Sequence, residues 1–271
     1  MMGTRAPTAQ DLPPPHFVLV IFGLFSAIIG ILLIVAAKSI TNGIFANQLG
    51  VLLLNEGFVL FPILGVGAFF FPKLLGGGRP GPADLQIAAT TWGKRAAIAA
   101  LTGLVIWASF VLEALGWTRT AAMLRGLTTL FYFVALGRLF KKPGGPPFMA
   151  QCFRLGALLL VAGLLLPAAL PGYRVANLHL TFIGGFTIIL FTVSTRVILG
   201  HSGHQHLFQK RLRFLIASLA LLVLAMIARI SADFILPERN SHLVYAALIW
   251  LLATAVWAWA LGPKLLISGD E

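Results

Sequence analysis

The chain has 271 residues, 59% of them hydrophobic and only 10% charged, with a mean hydropathy of +0.94. That balance excludes a soluble globular domain, which would have too little polar surface to face water. The formal charge of +12 does not point to nucleic acid, because Lys and Arg fall mainly between apolar runs, where membrane orientation and anionic lipid account for them.

The residues before Phe17, including Pro13, Pro14 and Pro15, read as a short tail ending in a helix-start proline. The first apolar run, Phe17 to Ala37, is longer than the h-region of a signal peptide and reads as a retained span. Further runs of membrane-crossing length, about 20 residues, follow at roughly Leu49 to Phe71, Gly93 to Gly116, Arg119 to Phe140, Met149 to Leu170, Asn177 to Leu199, Leu212 to Leu236 and His242 to Gly262. The predicted fold is therefore all-α, a polytopic transmembrane helical bundle of about eight spanning helices. It occupies residues 17–262, between tails at 1–16 and 263–271. No short-period repeat is visible, and the two halves of the chain do not align by eye. The only cysteine, Cys152, leaves no internal disulfide and no Cys-x-x-Cys site.

Cations set the expected orientation. Lys73, Arg79, Lys94 and Arg95 flank the second connection, Arg138, Lys141, Lys142 and Arg154 the fourth, and Lys210, Arg211 and Arg213 follow the sixth helix. The alternate connections carry mainly Lys38, Arg119, Arg174 and Arg239, so both termini are expected to be cytoplasmic. The stretches Gly76 to Pro82 and Lys142 to Pro147 are too rich in Gly and Pro for regular structure and read as cytoplasmic connectors. Neither ends in the Lys-Ser/Thr of a phosphate loop.

With that orientation, Asn55, Glu56, Glu113, Arg125, His179, Arg229, Asp233 and His242 all fall toward the outer side. Ionisable groups at membrane depth are costly unless compensated. A shared level suggests a polar pocket of Glu56, Glu113, Arg125 and Arg229, with a carboxylate pairing an arginine; the alternative is that such pairs only order the bundle. His179 suits a haem iron, with His242 as the second imidazole of a bis-His site, or is an interfacial hydrogen-bonding group. At the inner end His201, His204 and His206 lie within six residues, a pattern that suits copper or zinc or is simply a solvated turn. His201 and His204 share a face only if the helix continues through Gly200 and Gly203. Arg196, about one turn earlier, could hold a propionate or lipid phosphate, or snorkel. His179 and His201 stand about 33 Å apart along an uninterrupted helix, so they cannot share one metal. Gly184 and Gly185 admit a neighbouring helix or a flat macrocycle. His16, before the first helix, is a further imidazole on the inner side.

Asn177, Leu178 and His179, then Gly184-Gly185, then Thr195, Arg196 and Val197, then Leu199 to Gly203, together resemble the signature of the NnrS family. Those are bacterial inner-membrane proteins that bind haem and copper and are associated with the response to nitric oxide. A second similarity covers Asn55-Glu56 to Gly76, where that family usually has a His-Glu pair before an apolar Gly-rich helix. Here Asn55 stands in place of the His, and an amide cannot replace an imidazole on iron. The chain is also shorter than the family's usual members.

The resemblance implies a multi-pass protein of the bacterial inner (cytoplasmic) membrane with haem and copper as cofactors. His179, Arg196 and His201 would be its matching site residues, with His204 in support of His201, and nitric oxide or an electron donor would be its partners beside the lipid bilayer. The rival reading is a transporter or channel using the outward polar pocket. A third is a cofactor-free membrane component.

Overall fold

Backbone groups in hydrocarbon find no water, so a chain this apolar must satisfy them within helices. The structure, a computed structural model, describes residues 13–41, 43–76, 89–135, 139–140 and 147–265. All regular elements among them are helical: α1 (Val18–Ala37), α2 (Ile44–Leu52), α3 (Phe58–Gly76), α4 (Ala89–Ala114), α5 (Thr118–Ala135), α6 (Pro147–Ala169), α7 (Arg174–His179), α8 (Ile188–His201), α9 (Arg213–Ser231) and α10 (Arg239–Leu265).

Two π-helical segments weld four of these into two rods. Leu53–Gly57 joins α2 to α3, and Leu180–Thr187 joins α7 to α8. Among the described residues seven helices are long and apolar enough to cross a membrane. The eighth rod, α5, carries Arg119, Arg125 and four threonines in 18 residues, and it is held by its buried face. The eight predicted spans thus correspond to eight rods. Most of both Gly/Pro-rich connectors, residues 1–12 and residues 266–271 lie outside the described residues.

The chain forms two compact units, Met1–Lys141 and Lys142–Glu271. In the first, α1 lies along the rod of residues 44–76. A Cβ on Gly30 would meet the Gly50 carbonyl oxygen at 2.8 Å, and one on Gly50 would meet the Gly30 carbonyl oxygen at 2.7 Å. Reciprocal small residues let the two backbones touch, as membrane helices favour. Farther along, Trp107 of α4 donates its indole N–H to Ser26 of α1 at 2.8 Å.

The α4–α5 hairpin turns at Gly116, whose φ of +92° is accessible to Gly without a Cβ clash. The Trp117 N–H reaches the Leu112 carbonyl at 2.9 Å and the Gly116 N–H reaches that of Glu113 at 2.9 Å. These are the two bonds of a Schellman ending, and they fix where Glu113 leaves α4.

In the second unit α6 packs against the rod of residues 174–201, and α9 and α10 form a hairpin. A Cβ on Gly185 would meet Leu160 at 2.7 Å and one on Gly184 would meet Met226 at 2.5 Å. The glycine pair is therefore filled by α6 and α9, and of the two roles foreseen for it the structure shows helix packing. Tyr173 stacks on Phe234 at 4.3 Å, tying the start of this rod to the end of α9.

Gly30→Val should lower stability by about 1–3 kcal/mol, because the added methyls must push backbone rather than a flexible side chain. Gly93→Ala, where nothing lies within 4 Å, is the control. Thermal unfolding of both variants in detergent checks this, and equal melting temperatures would refute the contact.

Candidate functional site

In the first unit the charged groups meet around α5. Its apolar and small residues Ala121, Ala122, Gly126 and Phe133 face inward together with Arg125, Thr129 and Tyr132. Arg125 is 1% exposed, Glu56 3% and Glu113 9%. The Arg125 Nη2 donates to Glu113 Oε2 at 2.7 Å, and Nε lies 3.3 Å from Glu56 Oε2. The guanidinium carbon also sits 5.0 Å from the centre of the Phe110 ring, a cation–π contact.

The π segment positions Glu56. One extra residue in the turn re-aims the side chains that follow, and such bulges concentrate at functional positions. Glu56 is turned inward while its neighbour Asn55 is exposed. Of the four predicted pocket residues, Glu56, Glu113 and Arg125 are brought together. Arg229 lies in the second unit, 3.4 Å from Asp233 one turn later on the same chain segment.

In the second unit His179, near the start of the rod of residues 174–201, and His242 of α10 are each held by a hydrogen bond to the protein. After Pro171 opens a 3-10 turn, the buried Asn177 amide donates to the Leu170 carbonyl at 2.9 Å. That bond sets the register of His179, whose Nδ1 donates to the Val175 carbonyl at 2.7 Å. A carbonyl only accepts, so the ring proton sits on Nδ1 and Nε2 keeps its lone pair.

His242 is held differently. Ser231 Oγ lies 2.9 Å from the Ala228 carbonyl and 2.6 Å from His242 Nδ1, and its one hydrogen can go to either, so the ring proton of His242 can sit on either nitrogen. Arg229 and Asp233 act electrostatically on the His179 ring. Arg239 approaches Asp233 at 3.9 Å, and the buried Arg229 Nη1 makes no hydrogen bond.

The other end of this rod is different in kind. Helix α8 ends at His201, and Gly203 adopts a φ of +73°. His201 and His204 therefore do not share a helical face. His201 and His206 are exposed, and His204 turns its Nδ1 onto the Ser202 carbonyl at 2.6 Å. Arg196 stacks over Phe208 at 4.5 Å. It stands 17 residues beyond His179, about 26 Å along a helix, too far to serve one macrocycle held there. Among the described residues no group of three or more His, Cys, Asp or Glu could hold a metal ion.

Sequence reading missed Thr129, Tyr132, Ser231 and the Val175 carbonyl. The i, i+4, i+7 spacing of Arg125, Thr129 and Tyr132 was the available signal, since it places all three on one helical face. Backbone and hydroxyl partners such as Val175 and Ser231 leave no comparable mark.

The family model of NnrS protein matches residues 8–268, nearly the whole chain. No curated protein and no solved structure gives a match.

Arg125→Met should cost about 3–5 kcal/mol, because it strands two buried carboxylates. Adding Glu56→Gln and Glu113→Gln should recover much of the loss, since no charge then remains buried there. Denaturant unfolding in micelles checks the order; a triple variant less stable than Arg125→Met would show that the charges are not what the arginine balances.

Proposed function

Because the chain belongs to the NnrS family, we propose that it is a haem-binding multi-pass membrane protein acting in nitric oxide tolerance. The observation that supports this best is the His179 imidazole, fixed in one tautomer by the Val175 carbonyl. Metal-ligating histidines almost always donate their second ring N–H to a carbonyl, carboxylate or water, which orients the ring and raises its basicity. His179 does this through the Val175 carbonyl, and His242 Nδ1 is anchored on the Ser231 hydroxyl at 2.6 Å.

The residues present fit such a group in a second respect. Arg229 Nη1 is buried and pairs with Asp233 Oδ2 at 3.4 Å without making a hydrogen bond. A donor held only by that ion pair could still give a hydrogen bond to an anionic group such as a propionate carboxylate. In this reading His179 would hold the haem iron, with His242 as the second imidazole or a pocket residue and Arg229 as the partner of an anionic group. Haem iron, when bound, supplies a coordination position at which nitric oxide can be held. The chain's part is to orient Nε2, keep water away with Phe182 and Phe186, and neutralise negative charge.

Copper, which the family resemblance also implies, fits less well. His201 and His204 are separated by a broken helix end, and His204 already uses Nδ1 on a backbone carbonyl. No step is assigned to it. A small-anion transporter is not favoured either, since Arg125, the group that would take the anion, is already held by two carboxylates. The proposed location is the bacterial inner membrane with both termini cytoplasmic, following the cation distribution.

Protein purified after expression with ample haem should show a Soret band. His179→Ala should weaken or shift it, while His201→Ala leaves it unchanged. A colourless wild type, or a spectrum indifferent to His179→Ala and His242→Ala, would sink the assignment.

A further inference from the structure

The two units share one build, although the halves of the chain do not align in sequence. Each opens with a single rod, α1 or α6, laid along a second rod that contains the π segment, and each closes with a hairpin, α4–α5 or α9–α10. The register agrees residue by residue. Gly23 and Gly30 of α1 stand seven apart, and a Cβ on them would meet Pro62 and Leu54; Gly156 and Gly163 of α6 also stand seven apart and would meet Ile189 and Thr181. Between these contacts Gly57 faces Ser26, and Gly184 faces Leu159. Gly57 falls three residues after Leu54, as Gly184 does after Thr181. The π segments begin one residue before Leu54 and one before Thr181. The third rod joins at the same glycine, with Phe110 3.2 Å from a Cβ on Gly57 and Met226 2.5 Å from one on Gly184.

That shared register pairs positions of one unit with positions of the other. Three residues beyond Phe110 is Glu113, and three beyond Met226 is Arg229. Two beyond Leu54 is Glu56, and two beyond Thr181 is Ile183. The same place near the π-segment glycine therefore carries two carboxylates in the first unit and a guanidinium in the second.

The first unit closes its own charges there, because the fourth rod supplies Arg125 and both carboxylates hold it. The second unit has no such closure. From Lys142 to Leu265 its acidic residues are Asp233 and the exposed Glu238. The second rod offers Ile183 where its twin has Glu56, and α10 has no charged residue between His242 and Lys264. Asp233 lies 3.4 Å from Arg229 without a hydrogen bond and also faces Arg239 at 3.9 Å. Two arginines and one carboxylate leave one positive charge over, on side chains of which Arg229 is only 13% exposed. A guanidinium offers five N–H donors, and a carboxylate is the acceptor whose geometry matches its fork.

We propose that this place in the second unit is an open carboxylate site. The acceptor that Arg229 lacks within the chain comes from a monoanionic carboxylate ligand, and Ile183 is the residue that keeps the place free for it. Glutamate at position 183 would repeat the contact of Glu56 with Arg125 and fill the site from within. His179 stands one turn before Ile183 on the same rod, and the Arg229 charge acts on its ring. The carboxylate is either a propionate of haem, in which arm this inference rests on the haem reading, or that of a free small acid.

The test uses full-length protein in detergent and two probes. In the first arm, Soret titrations compare haem with haem dimethyl ester, whose propionates are blocked. The wild type and Ile183→Leu should prefer haem by about tenfold or more, as loss of a charge-assisted hydrogen bond implies. Ile183→Glu and Arg229→Gln should show no preference. In the second arm, melting temperatures are compared in acetate and in chloride at equal ionic strength. A free-acid site shows as stabilisation by acetate in the wild type and Ile183→Leu that both other variants lose. Helical circular dichroism and a monodisperse elution peak establish folding, and Arg229→Gln carries the test if Ile183→Glu does not fold.

His179→Ala should remove the Soret band and keep any acetate response, so loss of the haem assignment and loss of the carboxylate site are read separately. A wild type that shows neither a preference for haem over its ester nor stabilisation by acetate would overturn the proposal. So would folded Ile183→Glu or Arg229→Gln protein that keeps the wild-type response.

Discussion

A guanidinium that is 1% exposed can remain charged in an apolar bundle only if its neighbours supply the interactions water would have given. In the first unit this single requirement dictates much else. Glu113 must leave α4 at the level of Arg125, which the Schellman ending at Gly116 arranges. Glu56 must face the same point from another rod, which the π segment arranges. Phe110 supplies a ring face where a third polar partner is absent. The least apolar rod, α5, is thereby held by its inward face, which explains how a helix with two arginines and four threonines has a place in this bundle.

The second unit meets the same constraint with neutral groups. His179 gives one N–H to a backbone carbonyl, leaving its other nitrogen as a lone pair, and His242 is anchored on a serine hydroxyl. A neutral imidazole costs less to hold at membrane depth than an ion. It also leaves an acceptor unused, which is the property a metal ligand needs. Arg229 and Asp233 pair loosely at 3.4 Å without a hydrogen bond, in contrast to the 2.7 Å contact of Arg125 with Glu113. One unit closes its charges on each other; the other keeps donors and acceptors available.

The helical class and the eight rods were legible in the sequence because apolar run length is a direct consequence of membrane thickness. That a carboxylate of Glu56 or Glu113 would pair with an arginine was legible as well, since ionisable groups at membrane depth have few other ways to be compensated; the choice of Arg125 over Arg229 was not. The division at Lys141 was not, because it depends on which helices touch, and apolar faces carry no partner labels. The π segments were also hidden. Apart from Gly57 and Gly184-Gly185 their residues are ordinary helix formers, and the extra residue in the turn is a product of packing. The unsatisfied hydroxyl of Thr129 was obscured for a related reason: hydroxyls on an apolar helix usually bond back to their own backbone, as Thr102, Thr192 and Thr195 do here. Only the structure shows that Thr129 does not.

The π segment also bears on the residue in which this chain departs from the usual pattern of the family it resembles. Asn55 stands where a histidine would precede the acidic residue, and an amide is a poor substitute for an imidazole on iron. Yet Asn55 is exposed while Glu56 is buried, because adjacent residues of a helical turn diverge by roughly 100°. A histidine at position 55 would occupy that exposed direction and would not reach the Arg125 cluster. Replacing it removes an imidazole from the surface of the first unit and leaves the ion triad untouched. The imidazoles on which the haem proposal rests, His179 and His242, lie in the second unit, so the exchange at position 55 does not bear on them.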